Sequence, residues 1–397
     1  MLSLPPDTDV AILGAGLAGL SIASWLIDVI PPHASAPRVH LLEARQADTN
    51  DRTWCFWDQQ PHPFRKAISH RWPRWQVRFG NQCVEREDAE HCYSLLSASA
   101  MRRSAYAAMA TRPEFDFTRG VDVGTISPQD DGLHIATSQG GLTSKLVIDT
   151  RPPQAAMLSS HEGVWQVFHG VEVHCPDHGV SPSTACLMDF QTGFSGVNFV
   201  YLLPLDDHRL LAEWTCFHVD KTHPDCQRLL TQQVPPQLSD WLNKRLGTQW
   251  TLSRQETGCL PMMPVVAPQL NPRYLAAGIR GGWMRPATGY MFASCQRGAA
   301  DVARQIQRAS QTGRWELTPP RLRSSALEWM DKVFLQALRQ SPEQAPGWFM
   351  QLFERTRAIE QRRFLGDEPR LSDLLAIMRG LPAGPFLKAA IRLARHS

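Results

Sequence analysis

The feature that most constrains this chain is Gly14-Ala-Gly16-Leu-Ala-Gly19, set between the apolar run Val10–Leu13 and the apolar stretch Leu20–Leu26. After Pro31-Pro32 comes Arg38-Val-His-Leu-Leu-Glu43, a second apolar strand that ends in an acid. Strand, tight turn, helix and acid-terminated strand are the opening βαβ unit of a dinucleotide-binding sheet. Each part has a physical task. Gly14 permits the turn, Gly16 lets the backbone approach a pyrophosphate, and Gly19 lets the helix pack close to the strand. The phosphate then meets the free N–H groups of the helix N-terminus, and Glu43 is placed to accept from ribose hydroxyls. Glu43 lies 24 residues beyond Gly19, a spacing lengthened by the proline-rich insertion. A glycine-rich turn packing in an ordinary α/β domain is the bland alternative.

The same segment invites a misreading, because Val10 to Ile27 is an uncharged run of 18 residues. Its glycines divide it into strand, turn and helix, and Arg38 is the first basic residue, so neither a membrane span nor a secretory leader is expected. No later segment is long and apolar enough to span. Net charge is +3, too slight to imply nucleic acid as a partner. Nine cysteines contain no C-x-x-C pair, which argues against a disulfide framework or zinc site and for the cytosol. His223-Pro-Asp-Cys226 brings two ligand types together without a recognised metal spacing, and no metal is expected. Thirteen tryptophans exceed ordinary usage and suit either an aromatic-lined apolar pocket or a membrane-interface belt.

Downstream of Glu43 the chain departs from a compact dehydrogenase. Arg52–Trp57 and His70–Phe79 alternate like strands, and Lys145-Leu-Val-Ile-Asp149 is a third apolar strand about a hundred residues on. Tyr274–Gly278, the glycine turn at Gly281-Gly282, Arg285-Pro-Ala-Thr-Gly289-Tyr290 and the helix-like run Met291–Gln307 follow later still. Late returns to the nucleotide-binding sheet resemble flavoproteins with an amino-terminal FAD fold, in which such a Pro-x-x-Gly loop sits at the flavin end of the cofactor. Between the returns, Asn198–Pro204 and Arg209–Phe217 form a β-hairpin across Leu205–His208. Leu211, Glu213 and Thr215 share one face of its second strand; Ala212, Trp214 and Cys216 share the other. Glu213 is the only acid in that strand, so it is either salt-bridged or held as a general acid or base with a raised pKa.

Helical spacing over Ala326–Leu338, Ala345–Phe353 and Leu371–Arg379 leads to a basic amphipathic tail bearing Lys388, Arg392 and Arg395. Its apolar faces either pack on the core or lie on a bilayer surface without crossing it. The fold class expected is α/β: an FAD-binding, Rossmann-like fold of the hydroxylase type, with an inserted antiparallel-sheet substrate domain and a helical C-terminal region. The FAD-binding parts are drawn at 1–80, 81–155 and 266–320, the substrate sheet at 156–265, and the helical, membrane-associating region at 321–397.

Taken together these residues resemble the bacterial lycopene cyclases, FAD-dependent enzymes that form the β-ionone rings of carotenoids. The markers are the glycine fingerprint, Arg52-Thr-Trp54, Trp72-Pro-x-x-x-Val77-Arg-Phe79 and Val147-Ile-Asp149-x-Arg151. Phe199-Val-Tyr-x-Leu-Pro204, Leu210-Leu-x-Glu213-x-Thr215, Gly278-x-Arg280 and Pro286-x-Thr288-Gly289-Tyr290 complete them. One departure is Trp214, where many family members carry a second acid after the hairpin glutamate. The resemblance implies conversion of lycopene to γ- and β-carotene by proton transfer from Glu213 without net redox, with reduced FAD as cofactor and NADPH as reductant. It implies cofactor contacts from Gly14, Gly16, Gly19, Glu43, Asp149, Gly278, Pro286, Gly289 and Tyr290. It also implies a substrate tunnel lined by Trp54, Trp57, Trp214 and Trp283. A bilayer-resident C40 substrate implies peripheral association with the cytoplasmic face of the inner membrane, beside other enzymes of the carotenoid pathway. The rivals are a flavin monooxygenase or isoprenoid reductase and, from another class, an inert flavin- or carotenoid-binding scaffold.

Overall fold

Val10, Ala11, Ile12 and Leu13 are all fully buried, so the first strand is covered on both faces and sits in the middle of a sheet. The computed structural model describes residues 7–31, 36–158, 163–176, 178–218, 223–268 and 270–395. In it, strand Asp7–Leu13 pairs in parallel with Val39–Glu43 on one side and Gly140–Asp149 on the other. Phe115–Arg119 extends the first edge in parallel, and the antiparallel strands Gly132–Thr137 and Val123–Gln129 extend the second. The expected third strand therefore returns where the sequence places it. The late strand, Tyr274–Ala276, pairs in parallel with Val147–Asp149. Helix Leu17–Val29 and the long helix Phe292–Thr312 share one apolar core against this sheet, and Gly313, at φ 72°, ends the latter.

A second seven-stranded sheet runs in the order Thr251–Met262, Val164–His174, Arg209–His218, Val197–Pro204, Thr184–Gln191, Arg74–Phe79, Gln82–Glu87. Its alternation sorts side chains onto two faces. Val167, Val171, Val200, Ala212, Trp214 and Cys216 pack against helices His223–Gln232 and Val234–Leu246. The opposite face carries Phe168, Tyr201, Leu211, Glu213 and Thr215 and looks into a large cavity. The boundary drawn at residue 80 falls inside the hairpin Arg74–Phe79/Gln82–Glu87, which belongs to this second sheet. A small third sheet, Thr53–Trp57, Tyr93–Ser97 and His70–Trp72, packs on both large ones, Phe56 and Leu96 in the first core and Trp57, Trp72 and Tyr93 against Trp75 and Ala185 of the second sheet.

The C-terminal helices are Ser325–Gln340, Ala345–Arg355, Ala358–Leu365, Leu371–Gly380 and Ala383–Ala394. Ser324 caps the first by accepting from the Leu327 N–H at 3.3 Å. Val333, Leu335, Leu338, Trp348 and Ala389 are buried with Phe190, Phe199 and Phe217 of the second sheet, so these helices wall the far end of the cavity. Four helices escaped the periodicity reading: Ala98–Met109, His223–Gln232, Val234–Leu246 and Ala358–Leu365.

Candidate active site

The glycine turn is built as its residue types require. Gly14 sits at φ +102°, and a Cβ there would lie 2.8 Å from Thr150 Oγ1. A Cβ on Gly19 would lie 2.0 Å from the Gly14 carbonyl oxygen, so this glycine serves helix packing beneath the turn. At Gly16, the N-cap of helix Leu17–Val29, nothing comes within 4 Å of an added Cβ. The space in front of the helix N-terminus is therefore open for an anion. Glu43 braces the turn: Oε2 accepts from the Ala15 N–H at 2.7 Å, and Oε1 accepts from the Arg45 N–H and Nε at 3.0 and 3.1 Å. Burial alone would raise the Glu43 carboxyl, but these hydrogen bonds outweigh it and hold the group below its ordinary range.

From Gly14, Gly16 and Glu43 a continuous cavity of about 1890 Å³ runs past the second sheet to the C-terminal helices. That exceeds the 300–1,000 Å³ or so of an ordinary ligand pocket and leaves room for a dinucleotide together with a long apolar molecule. Gly278, Thr288, Gly289 and Tyr290 line its middle. The Arg285–Tyr290 loop is closed by the Arg285 N–H on the Tyr290 carbonyl and the Gly289 N–H on the Arg285 carbonyl, both at 2.9 Å. Gly289, at φ +70°, leaves the space that Gln166 occupies; an added Cβ would stand 2.6 Å from Gln166 Oε1. That oxygen is buried with no hydrogen-bond partner among the described residues.

Besides Gly19, which packs beneath the turn, two of the expected cofactor contacts lie elsewhere. Asp149 is fully buried behind the cavity wall, because its oxygens accept from Arg151 Nε and Nη2 at 2.9 and 2.7 Å and from the Tyr274 hydroxyl at 3.0 Å. It organises Arg151 and Tyr274 and does not touch the cavity. Pro286 shapes the loop from its outer side, and Ala287 and Thr288 take the lining positions. Of the four tryptophans expected to line a tunnel, only Trp54 does. Trp57 packs edge-on to Trp75, at 5.4 Å, inside the small-sheet core. Trp214 lies on the helix-covered face and donates to Asn198 Oδ1 at 3.1 Å. Trp283 fills the first core, against Gly298. Their size makes them good core material whichever face they occupy.

Glu213 stands on the cavity face of its strand, open to the cavity interior, and Oε1 accepts from Thr215 Oγ1 at 2.8 Å. Burial, and next the negative charge of Glu256, push its carboxyl up to about 8 against the single opposing hydrogen bond from Thr215. At neutral pH it is a neutral acid. Beside it three of the chain's five tyrosines form a hydrogen-bonded row: Tyr201 donates to Tyr93 at 2.9 Å, and Tyr93 and Tyr290 hydroxyls stand 3.1 Å apart. Burial raises all three phenols, which stay protonated. Sequence reasoning missed Tyr93, Tyr201, Gln166 and Glu256 as cavity residues. Tyr201 was legible, since its parity across the hairpin sets it opposite Glu213.

At the far end the cavity is lined by Trp329, Phe334, Met378, Leu381, Phe386 and Leu387. Trp329, Met378 and Leu387 are also 42%, 57% and 61% exposed, so this end opens at the surface through an apolar rim. Leu371, Leu375 and Ile391 extend that rim outward. Among the described residues no single helix is long and apolar enough to cross a membrane; Leu371–Gly380 and Ala383–Ala394 pass that test only as a pair, bent by 114°. No group of metal-ligating side chains occurs among the described residues.

The family model for lycopene cyclase protein matches residues 9–391. A lycopene beta-cyclase from Pantoea ananas is 25% identical over 403 residues, covering 97% of this chain and 98% of the relative. One from Paracoccus sp. is 27% identical over 300 residues, covering 71% and 69%. In fold the chain is similar to a geranylgeranyl bacteriochlorophyll reductase-like protein from Thermoplasma acidophilum, with TM-score 0.63, 12% identity and coverage of 98% and 99%. It is also similar to the flavin-dependent brominase Bmp2, with TM-score 0.61, 11% identity and coverage of 98% and 100%. The chain thus shares the fold of these two proteins, and the match over nearly the whole length makes it a member of the lycopene cyclase family.

Proposed function

We propose that this enzyme closes the acyclic ends of lycopene into β-ionone rings, giving γ-carotene and β-carotene, by acid–base chemistry in which no net electrons move. The observation that carries the reading is a cavity-facing Glu213, its carboxyl pushed up to about 8, in the same cavity as a dinucleotide cradle and an apolar mouth. FAD fits the cradle. The space at Gly16 and the free helix N-terminus suit its pyrophosphate, Glu43 its ribose, and the Gly278 and Thr288–Tyr290 backbone the ring end. When bound in its reduced form, with NADPH as reductant, the flavin supplies an electron-rich surface that favours a nearby cation.

The remaining work belongs to the chain. The apolar rim admits one end of the polyene and excludes water from the Glu213 region. The Glu213 O–H bond breaks as a C–H bond forms on the terminal alkene, and the developing tertiary cation is closed by the neighbouring double bond. A proton then leaves the adjacent ring carbon for the Glu213 carboxylate, its C–H electrons become the ring double bond, and the acid is restored. The tyrosine row lines this region with hydroxyls, and Trp54 offers a ring face to positive charge.

The exposed apolar residues Leu371, Leu375, Leu387 and Ile391, flanked by Arg379, Lys388 and Arg392, support peripheral attachment to the cytoplasmic face of the inner membrane, where the substrate dissolves. The decisive experiment is anaerobic incubation of protein, FAD and reductant with lycopene liposomes. Cyclised pigment of unchanged mass is expected, rising by one deuterium per ring in heavy water, and Glu213→Gln should form no ring while keeping its circular dichroism. Product gaining oxygen or hydrogen would instead make the enzyme a monooxygenase or reductase.

A further inference from the structure

Glu256, Gly170, Glu213 and Tyr201 stand side by side in one row across four neighbouring strands of the second sheet. The residue between the two acids has no side chain. A Cβ at Gly170 would lie 3.2 Å from Glu256 Cγ and 3.5 Å from Glu213 Cβ and Cγ, so both stems lean over the glycine from opposite sides. Both acids line the cavity.

Their surroundings differ in charge. Glu256 Oε2 accepts from Arg254 Nη1 at 2.6 Å, a charge-assisted hydrogen bond, and from Thr53 Oγ1 at 2.8 Å. Glu213 has one neutral partner, Thr215. The groups facing Glu213 from the other packed elements are the Tyr201, Tyr93 and Tyr290 phenols and the Cys55 thiol, all neutral. Arg254 is shared between Glu256 and Glu172, whose Oε2 lies 3.3 Å from Nε and whose Oε1 lies 3.4 Å from Arg209 Nη1, so Arg254 does not belong to Glu256 alone. A guanidinium partner favours the charged form of a carboxyl, and a charged carboxyl in turn favours the neutral form of its neighbour.

We propose that Glu256 is the fixed anion that keeps the Glu213 carboxyl in its protonated, proton-delivering form, acting across the gap that Gly170 leaves in the sheet. The position after Glu213 supplies no second acid, since Trp214 points to the opposite face. The second carboxyl of the site comes instead from another strand. Glu256 is a positioning residue here: it acts on the charge state of Glu213. The proposal rests on the reading of Glu213 as the proton donor.

The test is an infrared pH titration of the protonated-carboxyl band that disappears in Glu213→Gln, compared between the unmutated enzyme and Glu256→Gln. The midpoint should fall by about one pH unit or more, a tenfold change in proton affinity. An unmoved or raised midpoint in the folded variant overturns the proposal. Should Glu256→Gln fail to fold, Glu256→Asp withdraws the charge by one methylene while retaining Arg254, and a smaller fall is expected; no fall again overturns it. Ring formation by Glu213→Gln would defeat the proton-donor reading, whereas the midpoint comparison judges Glu256 whichever way that assay turns out.

Discussion

Glu213 is retained at a cost to stability that depends on pH. Its ordinary carboxyl value is 4.5 and its folded value about 8, so between those limits the native chain binds a proton that the unfolded chain has released. Stability therefore falls as pH rises through that window, by about 1.4 kcal/mol for each pH unit crossed. Replacing Glu213 by Gln should leave the melting temperature almost unchanged at pH 5 and raise it at pH 9, and scans at the two values check this. The residue was legible because an acid alone in an apolar strand is conspicuous. Glu256 was not, because it belongs to Thr251-Leu-Ser-Arg-Gln-Glu256, a polar run whose neighbours are exposed. Trp214 shows the opposite failure: its parity with Ala212 and Cys216 set it away from Glu213, and aromatic character alone suggested otherwise.

At the level of elements, the hydrophobic period marked Ala326–Leu338, Ala345–Phe353 and Leu371–Arg379 but not Val234–Leu246, although Val234, Leu238 and Leu242 bury one face of it. The alanine-rich helix Ala98–Met109 lacks a strong apolar stripe and forms through propensity and its Ser97 cap, so its pattern carried little signal. The hairpin Arg74–Glu87 joins the second sheet by a parallel pairing with Thr184–Gln191, a long-range contact no local pattern encodes. The bent helix pair at the cavity mouth is open to a direct check. Leu371, Leu375 and Leu387 are exposed and have little core to lose. Changing all three to Glu should cut sedimentation with anionic liposomes about tenfold or more while leaving thermal stability within roughly 1 kcal/mol of the unmutated enzyme.

Across the whole molecule, the C-terminal helices are tied to the Arg285–Tyr290 loop by buried charge. Arg285, fully buried, donates to Asp331 from Nε at 3.0 Å and Nη2 at 2.8 Å and lies 3.4 Å from Asp367, which also pairs with Arg323 at 3.2 Å. Asp367 holds its place at φ +62°, a conformation that non-glycine residues rarely adopt. Removing one partner leaves an uncompensated buried charge, so Asp331→Ala should cost about 3–5 kcal/mol, visible as a large fall in melting temperature. Truncation at residue 321 would break the same network, which makes point changes the sounder probe of the tail. The apolar rim carries a last implication. On the proposed function, with flavin at the phosphate end and the polyene entering at the apolar rim, the two termini of a symmetric substrate reach the acid in turn. A one-ringed pigment is then expected to leave the cavity and reverse before the second closure.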